Sequence, residues 1–594
     1  MKAKKEKSFL EIIVRLYKIT IKACPIRLVT YALATFVYSL LVVAITYCTQ
    51  RFFDAVESAA LVHSVSTQVI LTLALLVIII LLSHIFNGVE NYLGTTLHAW
   101  VGGEFQKKLH KKMCKIEPVM FENDRFLDDI NKAVQASGVK GCTYTLCAIT
   151  VVAASHLPYM IMMSIYMFKL KPVLALATFI VFIPVLISQL VRIGVFSKLE
   201  DQSAQIRREN TYYKACICGR EYYKETRVLG AFSYFMKLYK STITQLNNKL
   251  WKTSKDTIFI EMLMRVLTLL GYIGVLLMLV YYAVKGEISV GSFAAVFASI
   301  STIFETIESA LGQQIGGVTQ RLGVVRNYFD FLDYPELQGE EKNIDLQNGI
   351  AVEDVSFSYP GLENEAISNI SFHIKSGETI AIVGENGAGK STLVKLLIGL
   401  YKPTRGRILI GDGDTNLVSV KSLQKNVSGV FKNYQRYKMS LRENIAISDC
   451  KLERNDKSME EILNKVDLSS GKVTFKNGFE TMLSKEFGGT DLSGGQWQRV
   501  AIARGLYKNH DIIVLDEPTA AIDPLEETKI YKQFFELAKD KLAVLVTHRM
   551  GSARIADKII VLDDGRLVEI GNHEELIKAN GKYAAMFNAQ AQWY

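Results

Sequence analysis

Six apolar stretches dominate the first half of this 594-residue chain. Each is long enough to cross a bilayer as a helix, which takes about 20 residues. They lie at residues 28–48, 68–90, 143–168, 172–194, 258–284 and 291–314. Hydrophobic residues make up 49% of the chain, which is high for a soluble protein. The pattern predicts an α-helical transmembrane domain with six spans over residues 1–314, lying in a lipid bilayer.

Lys and Arg residues set the predicted orientation of these spans. Lys2, Lys4, Lys5 and Lys7 precede the first span, and basic clusters occupy the long loops around 107–115 and 207–227. Cytoplasmic loops are enriched in such residues, so we expect a multi-pass protein of the cell membrane with a cytoplasmic N-terminus. The net charge of +10 is explained in this way. No recognisable nucleic-acid motif accompanies it, so we expect no nucleic-acid partner.

The pattern changes in the second half. Residues 315–348 are polar and charged, which predicts a linker, and a second domain follows over 349–594. Alternating apolar residues over 352–359 and 370–374 predict half-buried antiparallel strands. Short apolar strands then alternate with helical stretches, at 380–383, 512–515, 542–546 and 559–562. That order predicts an α/β domain with a mainly parallel sheet.

A glycine-rich loop connects the strand at 379–383 to a helix that begins near residue 389. Its sequence over 384–391, GENGAGKS, fits a P-loop in the strand–loop–helix context that this motif requires. Backbone N–H groups of such a loop point at phosphate oxygens, and Lys390 would reach the β- and γ-phosphates. The loop therefore predicts binding of ATP. The candidate nucleotide-binding residues are Gly384, Asn386, Gly387, Gly389, Lys390, Ser391 and Thr392.

Two adjacent acids end the apolar strand at 512–515. Asp516 is expected to hold Mg²⁺ together with the hydroxyl of Ser391, and Glu517 is expected to polarise the attacking water. Phosphoryl transfer needs mainly positioning and charge stabilisation, which these groups supply. The motifs thus predict an ATP hydrolase of the P-loop class.

The stretch Leu492-Ser493-Gly494-Gly495-Gln496, between the P-loop and Asp516-Glu517, decides the kind of P-loop protein. Together with His548, this order and spacing resembles the ATP-binding cassette (ABC) ATPases. The resemblance implies that Ser493, Gly494, Gly495 and Gln496 bind ATP held by another subunit. It therefore implies a dimer with two sandwiched ATPs, a homodimer being favoured and a heterodimer being the alternative.

The same resemblance assigns further roles. His548 would contact the γ-phosphate and act with Glu517 in catalysis, Tyr359 would stack on adenine, and Asp523 would lie in a loop that crosses the dimer interface. Residues 121–126 and 219–225 would be the coupling helices of an exporter, which dock on the ATPase domain.

One position departs from the family pattern, which has Gln where Lys432 stands. That Gln would ligate Mg²⁺, whereas a lysine carries only donors and cannot ligate a cation. Lys432 could instead pair with phosphate charge, or Gln435 could take over the role. The departure raises the alternative of one weakened site in an asymmetric pair, although Glu517, the signature and His548 are intact.

Nearly the whole chain resembles a half-size exporter of the type IV fold. Residues 487–498 and 436–445 resemble those of bacterial exporters of lanthipeptides and other small peptides. About 25 residues precede the first span, so a leader-cleaving peptidase domain is not expected. The predicted function is export of a small peptide or another amphipathic substrate. The alternatives are a multidrug or lipid exporter, a regulatory ATPase that transports nothing, and an importer with this fold.

Acidic residues in the last two predicted spans are candidates for contact with cargo. Glu305 and Glu308 are three residues apart and would share a helix face, where they could line a cavity that attracts a cationic cargo. The alternative is pairing within the helix bundle, for instance of Glu261 with Arg265 at i, i+4, or a helix end that reaches water. For Glu305 and Glu308 both interpretations stay open, and for Glu261 the alternative is favoured.

Overall fold

The computed structural model describes residues 7–592, apart from 182, 450–455, 469–474, 476, 518–530, 532–533, 537 and 539–540. The chain forms two compact units. The first comprises the residues up to Cys114 together with Asp128–Tyr334, and the second comprises Lys115–Leu127 together with the residues from Pro335 onward.

The first unit is helical. Its helices, with α4 starting in the second unit, are α1 Phe9–Ala23, α2 Pro25–Val62, α3 Thr67–Met113, α4 Asp124–Ser137, α5 Tyr144–Val151, α6 Leu157–Leu170, α7 Pro172–Val181, α8 Ile183–Cys218, α9 Tyr223–Val228, α10 Phe232–Val284, α11 Val290–Glu308 and α12 Gly316–Leu332. Three π-helical segments, Val139–Thr143, Val152–His156 and Ser309–Ile315, join some of them end to end.

Among the described residues, five helical runs are long and apolar enough to cross a membrane. They are Pro25–Val62, Thr67–Met113, Lys140–Leu170, Phe232–Val284 and Val290–Leu332. Each contains one of the predicted spans. The remaining prediction, 172–194, falls on α7 and α8, and residue 182 between them lies outside the described residues. The expected helical membrane domain is confirmed.

Several of these helices are much longer than a bilayer is thick. The 47 residues of α3 and the 53 residues of α10 correspond to about 70 and 80 Å at 1.5 Å per residue. The hydrocarbon core takes up only about 30 Å, so each helix must continue far into water. The last turn of α3 carries the exposed residues His110 and Lys111, as expected for an end in water, whereas Lys112 is buried and donates to the carbonyl of Tyr334 at 2.5 Å.

Polar side chains connect α2, α6 and α11 inside the first unit. The hydroxyls of Thr46 and Ser299 are 2.6 Å apart. Gln50 donates to the Ser292 hydroxyl at 2.8 Å and accepts from the Tyr166 hydroxyl at 2.9 Å. Apolar helix faces contact lipid tails as favourably as they contact one another, so there is no hydrophobic driving force between them. Hydrogen bonds of this kind and small residues therefore determine which helices pack together.

The predicted linker, 315–348, begins inside a helix. Helix α12 continues the run from α11 through the π-helical segment and ends at Leu332, within the first unit. Its charged residues suggested a linker, but Val325, Tyr328 and Phe329 are fully buried. These three share one face at i, i+3 and i+4 spacing, and burying that face stabilises the helix.

The second unit contains two sheets. Their strands are β1 Ile350–Phe357, β2 Ile367–Ile374, β3 Thr379–Gly384, β4 Arg405–Ile410, β5 Gly413–Asp414, β6 Val427–Val430, β7 Ile512–Asp516, β8 Leu542–Val546, β9 Lys558–Asp563 and β10 Arg566–Gly571. One sheet is antiparallel, in the order β2-β1-β4-β5, and the other has the order β10-β9-β3-β8-β7-β6. The two predicted antiparallel strands are β1 and β2, and the four predicted parallel strands lie in β3, β7, β8 and β9.

Helices cover these sheets. They are α13 Lys390–Leu397, α14 Val420–Lys425, α15 Leu441–Ala446, α16 Asp456–Lys465, α17 Gly494–Tyr507, α18 Met550–Ala553, α19 His573–Ala579 and α20 Lys582–Ala591. Short 3₁₀ turns lie at Pro118–Glu122, Leu346–Asn348, Gly478–Glu480 and Lys485–Phe487. The α/β prediction for this half of the chain is confirmed.

The second sheet determines where the sequence motifs of the nucleotide site lie. β3, β8, β7 and β6 are neighbours and run parallel. Their carboxyl ends therefore share one edge, which is where ligands bind in open sheets of this kind. The P-loop follows β3, His548 follows β8, Glu517 follows β7 and Lys432 follows β6.

Asn444 on α15 holds the segment after β6 in place. It is fully buried, and its amide donates to the carbonyls of Tyr437, Met439 and Ser440 at 3.1–3.2 Å. Its side-chain oxygen accepts from Arg504 of α17 at 3.1 Å. One buried amide thus connects the segment after β6 to α17, and removing it would take one hydrogen bond from each of these partners.

We predict that Asn444→Ala destabilises the second unit by about 2–3 kcal/mol, because several hydrogen bonds of a buried amide are lost together. Thermal unfolding of the purified full-length chain measures this as a lower midpoint. Asn433→Ala is the matched control, since Asn433 is exposed in the same segment. Equal midpoints for the two variants would contradict the assigned role of Asn444.

Candidate nucleotide site

The P-loop has a backbone that only glycine adopts easily. Gly384, Gly387 and Gly389 have φ angles of 152°, 86° and 92°. A Cβ on Gly384 would lie 2.3 Å from the carbonyl oxygen of Leu562, and one on Gly389 would lie 2.7 Å from that of Ala366. The sequence GENGAGKS is therefore required by the conformation of the loop, which directs N–H groups toward one point.

Lys390 lies within the curve of this loop. Its ammonium donates to the carbonyls of Gly384 at 2.9 Å and Glu385 at 2.8 Å, and the residue is buried. Burial lowers the pKa of Lys390, while the carboxylates of Glu517 and Asp516 oppose that shift. A buried ammonium held only by carbonyl oxygens is ready to exchange them for phosphate oxygens, which bind it more strongly.

Ser391 and Asp516 offer oxygen atoms to the same space. The Ser391 hydroxyl donates to Asp516 Oδ1 at 3.3 Å. Asp516 is buried at the end of β7, and this burial raises its pKa. Hard divalent cations prefer oxygen ligands of this kind. Among the described residues, no group of three or more His, Cys, Asp or Glu side chains is arranged to hold a metal ion by itself.

Glu517 contacts two donors at once. Its Oε1 contacts Nε2 of His548, and its Oε2 lies 2.6 Å from the ammonium of Lys432. The hydrogen bond with Glu517 raises the pKa of Lys432. The pKa of His548 is lowered by burial and by Lys390 nearby. Glu517 itself has a φ of 41°, an uncommon conformation for a residue with a side chain.

Tyr359 and Thr392, both nucleotide-binding candidates, lie together. The Tyr359 hydroxyl is 2.9 Å from that of Thr392 on α13. Its ring packs edge-on against Phe357, with the centroids 5.1 Å apart. The tyrosine is half-buried beside the P-loop helix, which is consistent with a position next to a base.

The signature residues start α17. Ser493 is its N-cap, and it forms a capping box with Gln496: each side chain accepts from the backbone amide of the other residue. The Gln496 side chain is therefore used locally. The helix N-terminus, with Gly494 and Gly495, presents N–H groups that suit an anion.

No hydrogen bond or ion pair joins Ser493–Gln496 to Lys390, Asp516 or Glu517 in the part of the chain that the structure describes. The structure thus brings together the P-loop, Asp516, Glu517, His548 and Lys432, but not the signature. Asp523 lies outside the described residues.

Comparisons with known proteins agree with this arrangement. The family model described as "ABC transporter" matches residues 367–520. The chain is 27% identical to the subtilin transport ATP-binding protein SpaT of Bacillus subtilis over 85% of its length and 82% of that protein. It is 30% identical to the nisin transport ATP-binding protein NisT of Lactococcus lactis over 70% of its length and 71% of that protein.

The chain belongs to the ABC transporter family.

A solved structure shows the same fold. A bacterial Atm1-family ABC exporter with ATP bound superposes with a TM-score of 0.77 at 22% sequence identity, covering 95% of this chain and 98% of that one. This ABC transporter is a membrane protein of the half-size exporter type. It binds ATP and couples its hydrolysis to transport. Half-transporters of this family function as dimers.

The first unit of the ABC transporter contains a cavity of about 370 Å³ between α8, α10 and α11. Glu261, Glu305 and Glu308 all line it. Glu261 and Glu308 both pair within the bundle, although not through the suggested pair of Glu261 with Arg265: Arg265 donates to Glu308 at 2.7 Å, and Glu261 lies 3.7 Å from Arg192. Spacing along one helix favoured the local pair, but carboxylates on neighbouring helices are also within reach of these long side chains.

Glu305 is different from the other two acids. Among the described residues it has no ion-pair or hydrogen-bond partner, although its side chain faces the same cavity. The three acids and the two arginines together carry a net charge of −1. The structure thus brings the predicted pair Glu305 and Glu308 to one cavity and leaves the charge of Glu305 uncompensated.

The sequence predicted that 121–126 docks on the ATPase domain, but it did not identify the residues that make the contact. The segment Lys115–Leu127, which contains 121–126, is part of the second unit. There Glu122 accepts from the Tyr401 hydroxyl at 2.6 Å and from Lys395 at 3.1 Å. These hydrogen bonds lower the pKa of Glu122, and burial together with Glu122 raises the pKa of Tyr401 to about 12.

Tyr434, two residues after Lys432, was also missed. Its hydroxyl donates to the carbonyl of Gly494 in the signature at 3.0 Å. The ring is half-buried and packs against the core beside α17. The sequence around it contains two further aromatic residues, Phe431 and Tyr437, and nothing there distinguishes Tyr434 or identifies its partner.

We predict that Gly389→Ala weakens ATP binding by about tenfold or more, because a Cβ at φ 92° is strained and collides with Ala366. The loop must shift, and its N–H groups then no longer converge on the phosphates. Equilibrium binding of a fluorescent ATP analogue to the purified chain measures the loss. Gly551→Ala is the control, since a Cβ there meets open space. Unchanged affinity in Gly389→Ala would contradict the role of the loop.

Proposed function

We propose that this ABC transporter exports a small cationic peptide across the cell membrane as a homodimer. The observation that carries the cargo class is the acid-lined cavity in the first unit, where Glu305 has a negative charge without a described partner. The two relatives above, named for subtilin and nisin transport, support a peptide.

The depth of the cavity supports access from the cytosol. Glu305 and Glu308 are 15 and 18 residues from the start of α11 at Val290, which is about 22 and 27 Å along the helix. If Val290 is at the outer surface, as the charge distribution indicates, both acids lie toward the cytosolic side of a hydrocarbon core about 30 Å thick. Ionisable groups at such depths commonly contact substrate.

In the nucleotide site, Lys390 and the P-loop amides would bind the phosphates, and Tyr359 would stack on adenine. Ser391 and Asp516 would hold Mg²⁺, since both offer oxygen ligands 3.3 Å apart. Bound there, the ion would supply positive charge against the phosphates. The signature at α17 and Asp523 would complete the site of a second chain, so that two ATPs are sandwiched in the dimer.

Hydrolysis would depend on Glu517. Its carboxylate would accept a hydrogen bond from the attacking water, whose oxygen forms a bond to the γ-phosphorus as the bond to the bridging oxygen of ADP breaks. His548, in contact with Glu517, would orient that carboxylate and contact the γ-phosphate. Lys115–Leu127, which follows α3 in the chain, would carry closure of the cytoplasmic ATPase domains to the membrane helices.

We predict that Glu517→Gln lowers ATP turnover by about 100-fold or more, because the amide cannot take up a proton from water. Turnover by this chain alone, purified and placed in lipid nanodiscs, is the measurement. Activity of the wild type in the absence of any other chain is expected of a homodimer. Full turnover in Glu517→Gln would overturn the role of Glu517, and an inactive wild type would overturn the homodimer.

We further predict that a lysine-containing amphipathic peptide stimulates ATP turnover, and that Glu305→Gln weakens this stimulation about tenfold. Loss of one desolvated charge pair has an effect of this size. The same peptide with glutamine in place of lysine is the matched ligand. Glu57→Gln, an exposed acid of α2 outside the cavity, is the matched variant. Stimulation by neutral drugs or lipids, without any by the peptide, would contradict the peptide proposal.

A further inference from the structure

Lys432 occupies the position at which the family pattern has glutamine, and the structure shows what the lysine does there. It follows β6, and its ammonium lies 2.6 Å from Oε2 of Glu517. The other oxygen, Oε1, contacts His548. Both oxygens of the carboxylate are therefore engaged by nitrogen groups, which compete there with a water molecule for the remaining lone pairs.

The two side chains of this ion pair differ in how freely they can move. Glu517 directly follows β7, its amide donates to the carbonyl of Val546 at 3.2 Å, and its side chain is 15% exposed. The Lys432 side chain is 52% exposed and has a flexible four-carbon stem. If the pair opens, the lysine is the group that moves.

Lys432 and Lys390 lie at the same edge of the second sheet, because Lys432 follows β6, Lys390 follows β3, and the two strands belong to the parallel set. Two like charges at one edge repel each other, and an anion bound between them offsets this repulsion. The γ-phosphate of ATP is such an anion, and ADP does not have it.

We propose that Lys432 is a positioning residue that responds to the γ-phosphate. Without ATP it binds Oε2 of Glu517 and keeps water from this oxygen. When ATP binds, the oxygens of the γ-phosphate attract the ammonium, which leaves Glu517 free to orient the attacking water. This proposal rests on the proposed role of Glu517 in hydrolysis, but it concerns nucleotide binding and not the cargo.

The test is a double-mutant cycle of nucleotide affinity in the full-length chain in nanodiscs with Mg²⁺. The four proteins are the wild type, Lys432→Met, Glu517→Gln and the double variant, and the ligands are the non-hydrolysable β,γ-imido analogue of ATP and ADP. The substitution Glu517→Gln removes the ion pair, so that Lys432 can bind the phosphate. We therefore expect Glu517→Gln to tighten binding of the ATP analogue, and to do so about fivefold more in the protein with Lys432 than in the protein with Met at this position. A partly exposed ion pair contributes about that factor. ADP affinity is expected to show no such coupling.

Any general effect of removing the Glu517 charge cancels in this cycle, since it acts on both backgrounds. Lys438→Met is the matched control, because Lys438 follows in the same segment, is 51% exposed and pairs with Glu486. We expect it to leave both affinities unchanged. If Lys432→Met fails to bind ADP, and so is misfolded, Lys432→Gln replaces it in the cycle.

Equal effects of Glu517→Gln in both backgrounds would overturn the proposal, as would a coupling of the same size for ADP. Absence of analogue binding in all four proteins would overturn it together with the nucleotide site. A failure of the peptide proposal is distinguishable, because loss of peptide stimulation leaves this binding cycle unaffected.

Discussion

The parallel register of β3, β8, β7 and β6 is the constraint on which the nucleotide site depends. The P-loop, His548, Glu517 and Lys432 are far apart in the sequence, and no local contact would bring them together. Parallel hydrogen bonding puts the carboxyl ends of the four strands at one edge. The identity of the next residue after each strand then determines the chemistry of that edge.

Charge pairing follows a common rule in both units. Glu517 has two cationic or imidazole partners, and Glu308 has Arg265, so most acids in the two sites are compensated. Among the described residues that line the membrane cavity, Glu305 is the acid without an ion-pair partner. An ionised side chain inside a membrane is costly unless it is paired. The proposed cargo would supply the positive charge that Glu305 lacks.

Much of the fold could be predicted from the sequence, because its signals are local. The length of the apolar stretches predicted the membrane helices. Alternation and short apolar runs predicted the strands, and the sequence GENGAGKS predicted the loop. The helix at the start of the predicted linker was not expected, because charged residues concealed the buried face of α12. The membrane helices, the strands and the loop depend on residues that are neighbours along the chain, and a single sequence contains this information.

Partners across the fold could not be predicted in the same way. The family pattern showed that Lys432 is unusual, but only the adjacency of β6 and β7 brings it to Glu517. Likewise, whether Arg265 forms an ion pair with Glu261 or with Glu308 depends on how α10 packs against α11. The positions of motifs are thus encoded locally, whereas the pairing of charges is decided by tertiary packing.

The length of α3 has a mechanical consequence. This helix of 47 residues ends at Met113, immediately before the segment that belongs to the second unit. A rigid rod about 70 Å long that tilts by about 5° displaces its far end by about 6 Å. Such a lever converts a small rotation at one end into a movement as large as a side chain at the other. A short connection between bilayer and ATPase would give no such amplification.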